Sequence, residues 1–351
     1  MGMIDNPITT RVGEKLERHQ TWWGTVAAAN DSIYGIPFQA RRVIKFNPVD
    51  KSMTHIGPDF GEGLKWTNGA ITGNGVIYCF PFHSNRGILK IDTNTDTATE
   101  LDVNLLPEQG GAVSCAAAAL DGCIYFISFF ADHIMKLDQN NNDAISSVGN
   151  DLGDGYCKYK GIVVGIDRCI YMIPAHSKRI IKYDPINGIT SFVGEVADEY
   201  FHCNNDGALG RDGCIYALAT GGRVLKIDTT NNVHCFVGNS ILLENCDQED
   251  WGDAILGIDG CIYWPPCDSG YTLKYDPYTD QISLVGDDFG NAVFKWDSGA
   301  LATDKVIYCI PKFANRVLAI DPLRDLLETT KAHMEDHPEK FRLLFQQTIE
   351  G

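Results

Sequence analysis

The pattern that decides the fold is contained in Gly207-Ala-Leu-Gly-Arg-Asp-Gly-Cys-Ile-Tyr216 and in Arg223-Val-Leu-Lys-Ile-Asp228, which follows it. A small-residue run, an Asp-Gly turn and an Ile-Tyr pair precede a second apolar run that ends in Lys-x-Asp. Turns between short runs of alternating and β-branched residues are typical of strands. No 3.6-residue periodicity persists between the turns, so a helix is excluded. The stretch therefore predicts consecutive strands of one small antiparallel sheet.

The same pattern recurs along the chain at a nearly constant spacing. Its tyrosine stands at Tyr34, Tyr78, Tyr125, Tyr171, Tyr216, Tyr263 and Tyr308. A further run after Lys-x-Asp often closes on Val-Gly, which gives each unit four strands. Small residues in the first run fit an inner strand, because bulky side chains from all the units would collide near a common axis. Seven units of about 45 residues with four strands each predict an all-β fold, a seven-bladed β-propeller.

The two ends of the chain predict how the ring closes. The last unit lacks a fourth strand, and Ile8-Thr-Thr-Arg-Val-Gly13 reads as an unassigned fourth strand in the correct register. We therefore expect the N-terminal strand to complete the last blade, which removes an open sheet edge. The length of 351 residues alone would favour two domains, but the repeat predicts one domain over residues 8–321. Residues 322–351 read as a C-terminal helical extension that either covers the propeller or docks a partner or a second protomer.

The charge and the cysteine content of the chain limit the kinds of partner and the cellular location that we expect. The chain has 46 Asp and Glu against 29 Lys and Arg, a net charge of −17. Nucleic acids and anionic membranes attract basic surfaces, so we expect neither as the main partner. No apolar run is long enough for a transmembrane helix. Twelve cysteines without a Cys-x-x-Cys pair predict free, buried thiols and an intracellular, cytoplasmic location.

The motifs Asp-Gly-x-Ile-Tyr and Arg-Val-Leu-Lys-Ile-Asp resemble propellers of the NHL, YncE-like and streptogramin-lyase-like class. The resemblance covers residues 8–321 and rests on residues of structural type. It implies the fold and no single activity, because such propellers include binding scaffolds, lyases and hydrolases. No family catalytic motif is matched, so the resemblance assigns no catalytic residue to this chain.

An aromatic residue recurs twelve positions before the blade tyrosine. Its members are Trp22, Trp66, Tyr159, Trp251 and Trp296. One interpretation is a packing anchor repeated between blades. The other is a stacking platform for a sugar or another planar ligand, which makes Trp66, Tyr159, Trp251 and Trp296 candidate ligand-binding residues.

Polar side chains recur at the entrance to the first strand of the units. These are Asn68, Cys115, Asp206, Asp253 and Ser298. If they ring one mouth of the central channel, Asn68, Asp206 and Asp253 are candidate ligand-binding residues. Asp206 and Asp253 are then also candidate ligands for Ca²⁺ or another divalent cation, which prefers oxygen donors. The alternative is that these side chains cap backbone groups.

The loops between the second and third strands lie on the same face of the predicted ring. Five positions after the blade tyrosine they carry His83, His176 and Asp268. Histidine titrates near neutrality and serves as a general base or a metal ligand. His83 and His176 are therefore the candidate catalytic residues, and Asp268 is a candidate ligand-binding residue.

Strong structural repetition without a recognisable catalytic constellation favours a non-enzymatic module. We expect the long-loop face or the helical extension to bind a protein partner. One alternative is a metal-assisted lyase or hydrolase whose site lies at the channel mouth. A second is a carbohydrate- or small-molecule-binding protein. The oligomeric state is not indicated by the sequence.

Overall fold

The strands form seven four-stranded antiparallel sheets arranged as the blades of a propeller. The computed structural model describes residues 8–17, 20–82, 86–103, 112–153, 155, 157–195, 201–203, 205–219, 222–238 and 251–324. The inner strands are β2 (Trp22–Ala27), β6 (Trp66–Ile71), β10 (Val113–Ala118), β14 (Tyr159–Val164), β18 (Ala208–Leu209), β22 (Ile255–Leu256) and β26 (Ala300–Leu301). The second strands are β3 (Ile33–Pro37), β7 (Val76–Pro81), β11 (Ile124–Ser128), β15 (Ile170–Pro174), β19 (Cys214–Ala219), β23 (Ile262–Trp264) and β27 (Ile307–Cys309).

The two outer positions of each blade follow the Lys-x-Asp and Val-Gly runs. The third strands are β4 (Val43–Phe46), β8 (Ile88–Asp92), β12 (Ile134–Asp138), β16 (Ile180–Asp184), β20 (Arg223–Asp228), β24 (Thr272–Asp276) and β28 (Val317–Ile320). The outermost strands are β5 (Met53–Ile56), β9 (Thr97–Leu101), β13 (Ala144–Val148), β17 (Ile189–Val193), β21 (Val233–Val237), β25 (Gln281–Val285) and β1 (Thr9–Val12).

The ring closes with the N-terminal strand, as predicted. β1 pairs antiparallel with β28, with Thr9 opposite Ile320 and Val12 opposite Val317. Thr9 is fully buried, and its Oγ1 accepts a hydrogen bond of 2.7 Å from the backbone amide of Asp287 in the preceding blade. The predicted all-β, seven-bladed architecture is therefore confirmed.

The hydrophobic core lies between neighbouring blades. In the described part of the chain, each buried cluster joins two adjacent sheets; one contains Tyr34 of the first blade and Trp66 of the second, and another contains Trp22 and Tyr308 across the closure. Burial of apolar area at every blade interface is thus the main force that holds the ring. Four cysteines at the start of the second strands are buried and unpaired, as the sequence predicts: Cys123, Cys169, Cys214 and Cys261.

The repeated tyrosine belongs to a polar triad that explains why its motif recurs. In the fifth blade Tyr216 Oη donates a hydrogen bond of 2.7 Å to Asp212, and Lys226 Nζ lies 3.3 Å from the same carboxylate. The Asp-Gly turn and the Lys-x-Asp run therefore meet at one partly exposed point beside the buried tyrosine ring. In the first blade the turn has Asn30 in place of the aspartate, and Asp96 of the second blade accepts from Tyr34 at 2.9 Å instead. The motif is structural.

Helix makes up very little of the described chain. A 3-10 turn spans Gln139–Asn141, and residues 322–324 are helical. The predicted helical extension otherwise lies outside the described residues. Within those residues, none of the helical segments has the length and apolarity needed to cross a membrane.

Candidate functional site

The mouth of the central channel holds a cavity of about 210 Å³. Its walls come from the starts of the inner strands and from the residues just after the second strands. One part of the wall is aromatic and is formed by Trp23, Phe82, Phe129 and Phe294. Another part is charged and is formed by Lys160, Asp206, Asp253, Asp297 and Lys312. The cavity therefore presents an apolar surface and several ionisable groups to one guest.

Irregularities in four inner strands direct side chains into this cavity. The pairing with the second strand skips one residue or two in each of the first four blades. The skipped residues include Trp23, Asn68, Ser114 and Lys160, and all four line the cavity. A bulge rotates the strand locally and re-aims a side chain. The bulges thus turn residues toward the axis that regular alternation would place elsewhere.

Asp206 and Asp253 link three neighbouring blades at the cavity wall. Asp206 Oδ1 accepts hydrogen bonds from the backbone amides of Ile162, at 2.8 Å, and of Gly207, at 2.9 Å. Asp253 Oδ1 accepts one from the amide of Asp206, at 2.9 Å. The amide of Asp253 donates in turn to the carbonyl of Asp297, at 2.7 Å. These carboxylates therefore accept hydrogen bonds from backbone amides at the inner edges of the blades, where the blades converge.

Burial raises the pKa of both carboxyl groups. Asp206 lies beside Asp253, and desolvation followed by the neighbouring negative charge holds its pKa well above the ordinary range. Desolvation and the charge of Asp297 likewise raise the pKa of Asp253, and the amide of Asp206, Lys312 and Lys160 lower it by less. Two adjacent carboxyls of this kind resist double ionisation and tend to retain a proton.

Lys312 is already held against the aromatic part of the wall. Its side chain is only 4% exposed. The Nζ atom lies 3.5 Å from the centroid of the Trp23 ring and 4.7 Å from that of Phe294. It also lies 3.2 Å from Asp297 Oδ1. The ammonium is thus stabilised by a carboxylate and by two ring faces.

The aromatics that recur twelve positions before the blade tyrosine are buried, and of these Trp251 alone lines the cavity among the described residues. Trp66 and Trp296 are at most 1% exposed. Their indole nitrogens donate to the backbone carbonyls of Gly87, at 2.8 Å, and Arg316, at 2.9 Å. Trp22, Tyr159 and Trp251 are also buried, and Trp251, whose indole donates to Tyr271, borders the cavity. This placement is that of packing anchors at the blade entrances.

The polar ring divides into members that reach the cavity and members that do not. Asn68 lines it and donates from Nδ2 to the carbonyl of Ser114 at 2.8 Å. Cys115 is buried in the core. Ser298 is also buried and bonds to Thr25 across the closure at 3.2 Å. The described residues contain no group of three or more His, Cys, Asp or Glu side chains arranged to hold a metal ion.

The three candidates on the loops after the second strands have different positions. His176 is exposed, and its ring centroid lies 5.6 Å from that of His202. Asp268 Oδ1 accepts a hydrogen bond of 2.5 Å from the amide of Phe294 and so supports that part of the wall. Neither residue lines the cavity. His83 lies outside the described residues.

Many of the site residues that the sequence analysis missed, such as Trp23, Lys160 and Phe82, stand one position away from residues that it named. Most of the lining occurs eleven positions before or four positions after a blade tyrosine, as in Trp23 and Lys160 before it and Phe82 and Lys312 after it. The residue types at those positions differ from one unit to the next, and this variation within a repeated frame is the signal that could have identified them. The bulges that orient them are not visible in the hydrophobic pattern.

The closed ring of four-stranded sheets defines the class of this protein, a seven-bladed β-propeller, and known structures share it. A catalytically inactive variant of virginiamycin B lyase from Staphylococcus aureus with quinupristin has a TM-score of 0.71 and 11% identity, over 89% of this chain and 98% of that chain. YCF48 bound to D1 peptide has a TM-score of 0.66 and 10% identity, over 91% and 98%. The WD40 propeller domain of Doa1 has a TM-score of 0.62 and 12% identity, over 90% and 98%.

These likenesses confirm the expected propeller class at the level of fold. No protein-family model matches the sequence, and no curated protein does. The similar structures include a lyase and a protein with a bound peptide. Because one fold supports both, the function must be argued from the cavity.

Proposed function

We propose that this protein is a non-enzymatic binding propeller that takes a segment of a protein partner at its channel mouth. The observation that carries the proposal is the cavity, which combines an aromatic wall with several charged groups. Rigid scaffolds that present loops around a concave site are suited to binding. The YCF48 structure with its peptide supports a protein partner for a chain of this fold.

Several groups that could perform chemistry also hold structural bonds. Asp206 and Asp253 each use one oxygen to hold a backbone amide of the ring. Asp297 pairs with Lys312. Burial raises the pKa of the Cys267 thiol well above its usual value, which keeps it protonated. A protonated thiol is a poor nucleophile.

The size of the cavity suits one side chain rather than a whole cofactor or drug-sized molecule. Its volume of about 210 Å³ is below the ~300–1,000 Å³ of typical small-molecule sites. A partner would insert one residue there and contact the surrounding loop face with its neighbours. A buried anchor surrounded by a wider contact area is the usual anatomy of a protein interface.

Peptide selection tests this proposal. Peptides from a displayed random library are selected on the immobilised protein and then measured against two variants. Ser114→Phe places a bulky ring in the cavity, whereas Thr95→Phe changes a turn on the opposite face. We expect selected peptides to bind the first variant at least about tenfold more weakly and the second unchanged.

Two results would contradict the proposal. One is equal binding of the peptides to both variants, which would place the binding surface elsewhere. The other is a catalytic activity that Asp206→Asn and Asp253→Asn abolish while circular dichroism shows both variants folded.

A further inference from the structure

The charged wall of the cavity is one positive charge short of neutrality. Three carboxyl groups and two lysines line it among the described residues. Lys312 and Asp297 form an ion pair with each other at 3.2 Å. Among the described lining residues, this leaves the positive charge of Lys160 to balance the two negative charges of Asp206 and Asp253. When both acids are ionised, the cavity therefore carries one uncompensated negative charge.

The spare charge is available to a guest. The Oδ1 atoms of Asp206 and Asp253 accept from backbone amides, but their Oδ2 atoms form no hydrogen bond with any described residue. Lys160 lies close enough to lower the pKa of Asp253, yet its effect is smaller than those of desolvation and Asp297. It also forms no ion pair with a described residue. Lys160 thus does not neutralise the two acids.

Lys312 shows which kind of group binds favourably to the aromatic and acidic parts of this wall. Lys312 places its ammonium 3.5 Å from the Trp23 centroid, with Asp297 as counter-ion. An alkyl stem against aromatic rings and a cationic tip against a carboxylate are favourable together. Phe82 and Phe129 belong to the same aromatic wall. The net charge of −17 also attracts cations over long distances.

We propose that this cavity binds one alkylammonium group, as on the side chain of a lysine from the partner, with its stem on the aromatic wall and its nitrogen at Asp206 and Asp253. The inference rests on the proposed function and names the chemistry of the inserted residue. The site suits a divalent metal less well, because the described residues contain no group of three acidic, histidine or cysteine side chains arranged to hold a metal ion. A carboxylate guest would be repelled by the excess negative charge of Asp206 and Asp253.

Binding exchanges a proton for the ammonium. The groups that face the two acids are Asp297, Lys160, Lys312 and the buried thiol of Cys115, whose pKa is raised by burial and by Asp206. In the free protein the acids reduce their repulsion by retaining a proton, since burial raises the pKa of both. The guest replaces that proton, so affinity should rise with pH until both acids are ionised, by up to about tenfold per pH unit.

The test uses n-butylammonium chloride as the probe and the intact protein at about 150 mM salt, where surface attraction is screened. Binding is followed by the shift of the Trp23 indole NMR signal between pH 5 and 8. We expect saturable binding with a Kd on the order of 1 mM. Neither n-butanol nor n-butyrate, which share the stem, should bind measurably.

Variants separate the site from the rest of the acidic surface. Asp253→Asn keeps an oxygen for the Asp206 amide and should weaken n-butylammonium about tenfold or more while removing most of the pH dependence. Asp31→Asn, in an exposed turn on the opposite face, is the matched control and should bind like the wild type. Circular dichroism confirms that each variant is folded.

The outcomes also distinguish this inference from the proposed function. Preferential binding of n-butyrate, or n-butylammonium binding that Asp253→Asn leaves unchanged, would overturn the inference. Selected peptides that bind at the cavity without any affinity for n-butylammonium would overturn it too, and the proposed function would stand. Binding of n-butylammonium without any peptide binding would support the inference and contradict the protein-partner function.

Discussion

The backbone amide of Asp206 donates a hydrogen bond of 2.9 Å to the carboxylate of Asp253, so the acid of one blade holds the inner end of the preceding blade. Both side chains also line the channel cavity. The pair therefore serves the closure of the ring and the charge of the site at once. Changes of pH act on both roles.

Stability should fall as the pH rises through the titration of this pair. Because burial raises the pKa of Asp206 and Asp253 in the folded protein, the folded state binds protons more tightly than the unfolded chain, whose aspartates titrate near 3.9. The resulting stabilisation is complete below about pH 4 and is lost as the pH passes the raised values. Asp253→Asn should remove about 1 kcal/mol or more of the difference in unfolding free energy between pH 5 and 8.

Urea denaturation of the wild type and of Asp253→Asn at each pH measures this effect. The comparison isolates the pair, because other acids with lowered pKa values, such as Asp59 and Asp228, act below pH 4 in both proteins. Parallel curves for the two proteins between pH 5 and 8 would show that the pair ionises normally.

Trp66→Phe should reduce stability and leave binding unchanged. The indole of Trp66 is fully buried and donates to the carbonyl of Gly87. Phenylalanine leaves that carbonyl without its donor and leaves a space beside the ring of Phe60, at a cost of about 1–3 kcal/mol. Urea denaturation measures the loss, and the selected peptides measure binding. A stable variant with lost peptide affinity would instead identify Trp66 as a ligand-stacking residue.

Tyr216→Phe should lower the free energy of unfolding, measured by urea denaturation, by about 1.5–3 kcal/mol, the usual contribution of a hydrogen bond to a charged group. Tyr216 Oη donates to Asp212, and burial keeps the phenol protonated by raising its pKa. Tyr278 is 75% exposed, so Tyr278→Phe is the control and should change stability very little. Equal losses in the two variants would remove the triad as the reason for the repeated tyrosine.

Deletion of residues 1–13 should open the ring. It removes β1, exposes the edge of β28 at Val317–Ile320, and takes away the buried Thr9 contact to Asp287. An unpaired apolar edge favours association between molecules. Thermal melting should drop and sedimentation should detect oligomers. A monomeric, equally stable protein after this deletion would contradict closure by β1.

The repeat predicted the architecture because its signals are local. Turn residues, the Ile-Tyr pair and Lys-x-Asp recur whenever the triad and the blade packing require them, as at Tyr216 and Asp212. The closure by residues 8–13 followed from register alone. The placement of Asn68, Asp206 and Asp253 at one mouth could also be predicted from the sequence, since they share a position in the repeat.

The rest of the site depends on geometry that the pattern does not encode. Bulges at Trp23 and Lys160 turn these residues to the axis, and regular alternation gives no sign of them. The ion pair of Lys312 with Asp297 joins residues at two different positions of the last unit. The charge balance of the cavity is a sum over several blades and could be counted only once the lining was known. The cytoplasmic location stays a prediction.

The most direct measurement is a carbon-13 NMR titration of the aspartate side-chain carboxyls, with and without saturating n-butylammonium. We predict that at least one of Asp206 and Asp253 titrates far above the ordinary range in the free protein and that the amine shifts its midpoint downward. Normal titration near pH 4 for both carboxyls, unmoved by the amine, would contradict the account of a cavity short of one positive charge.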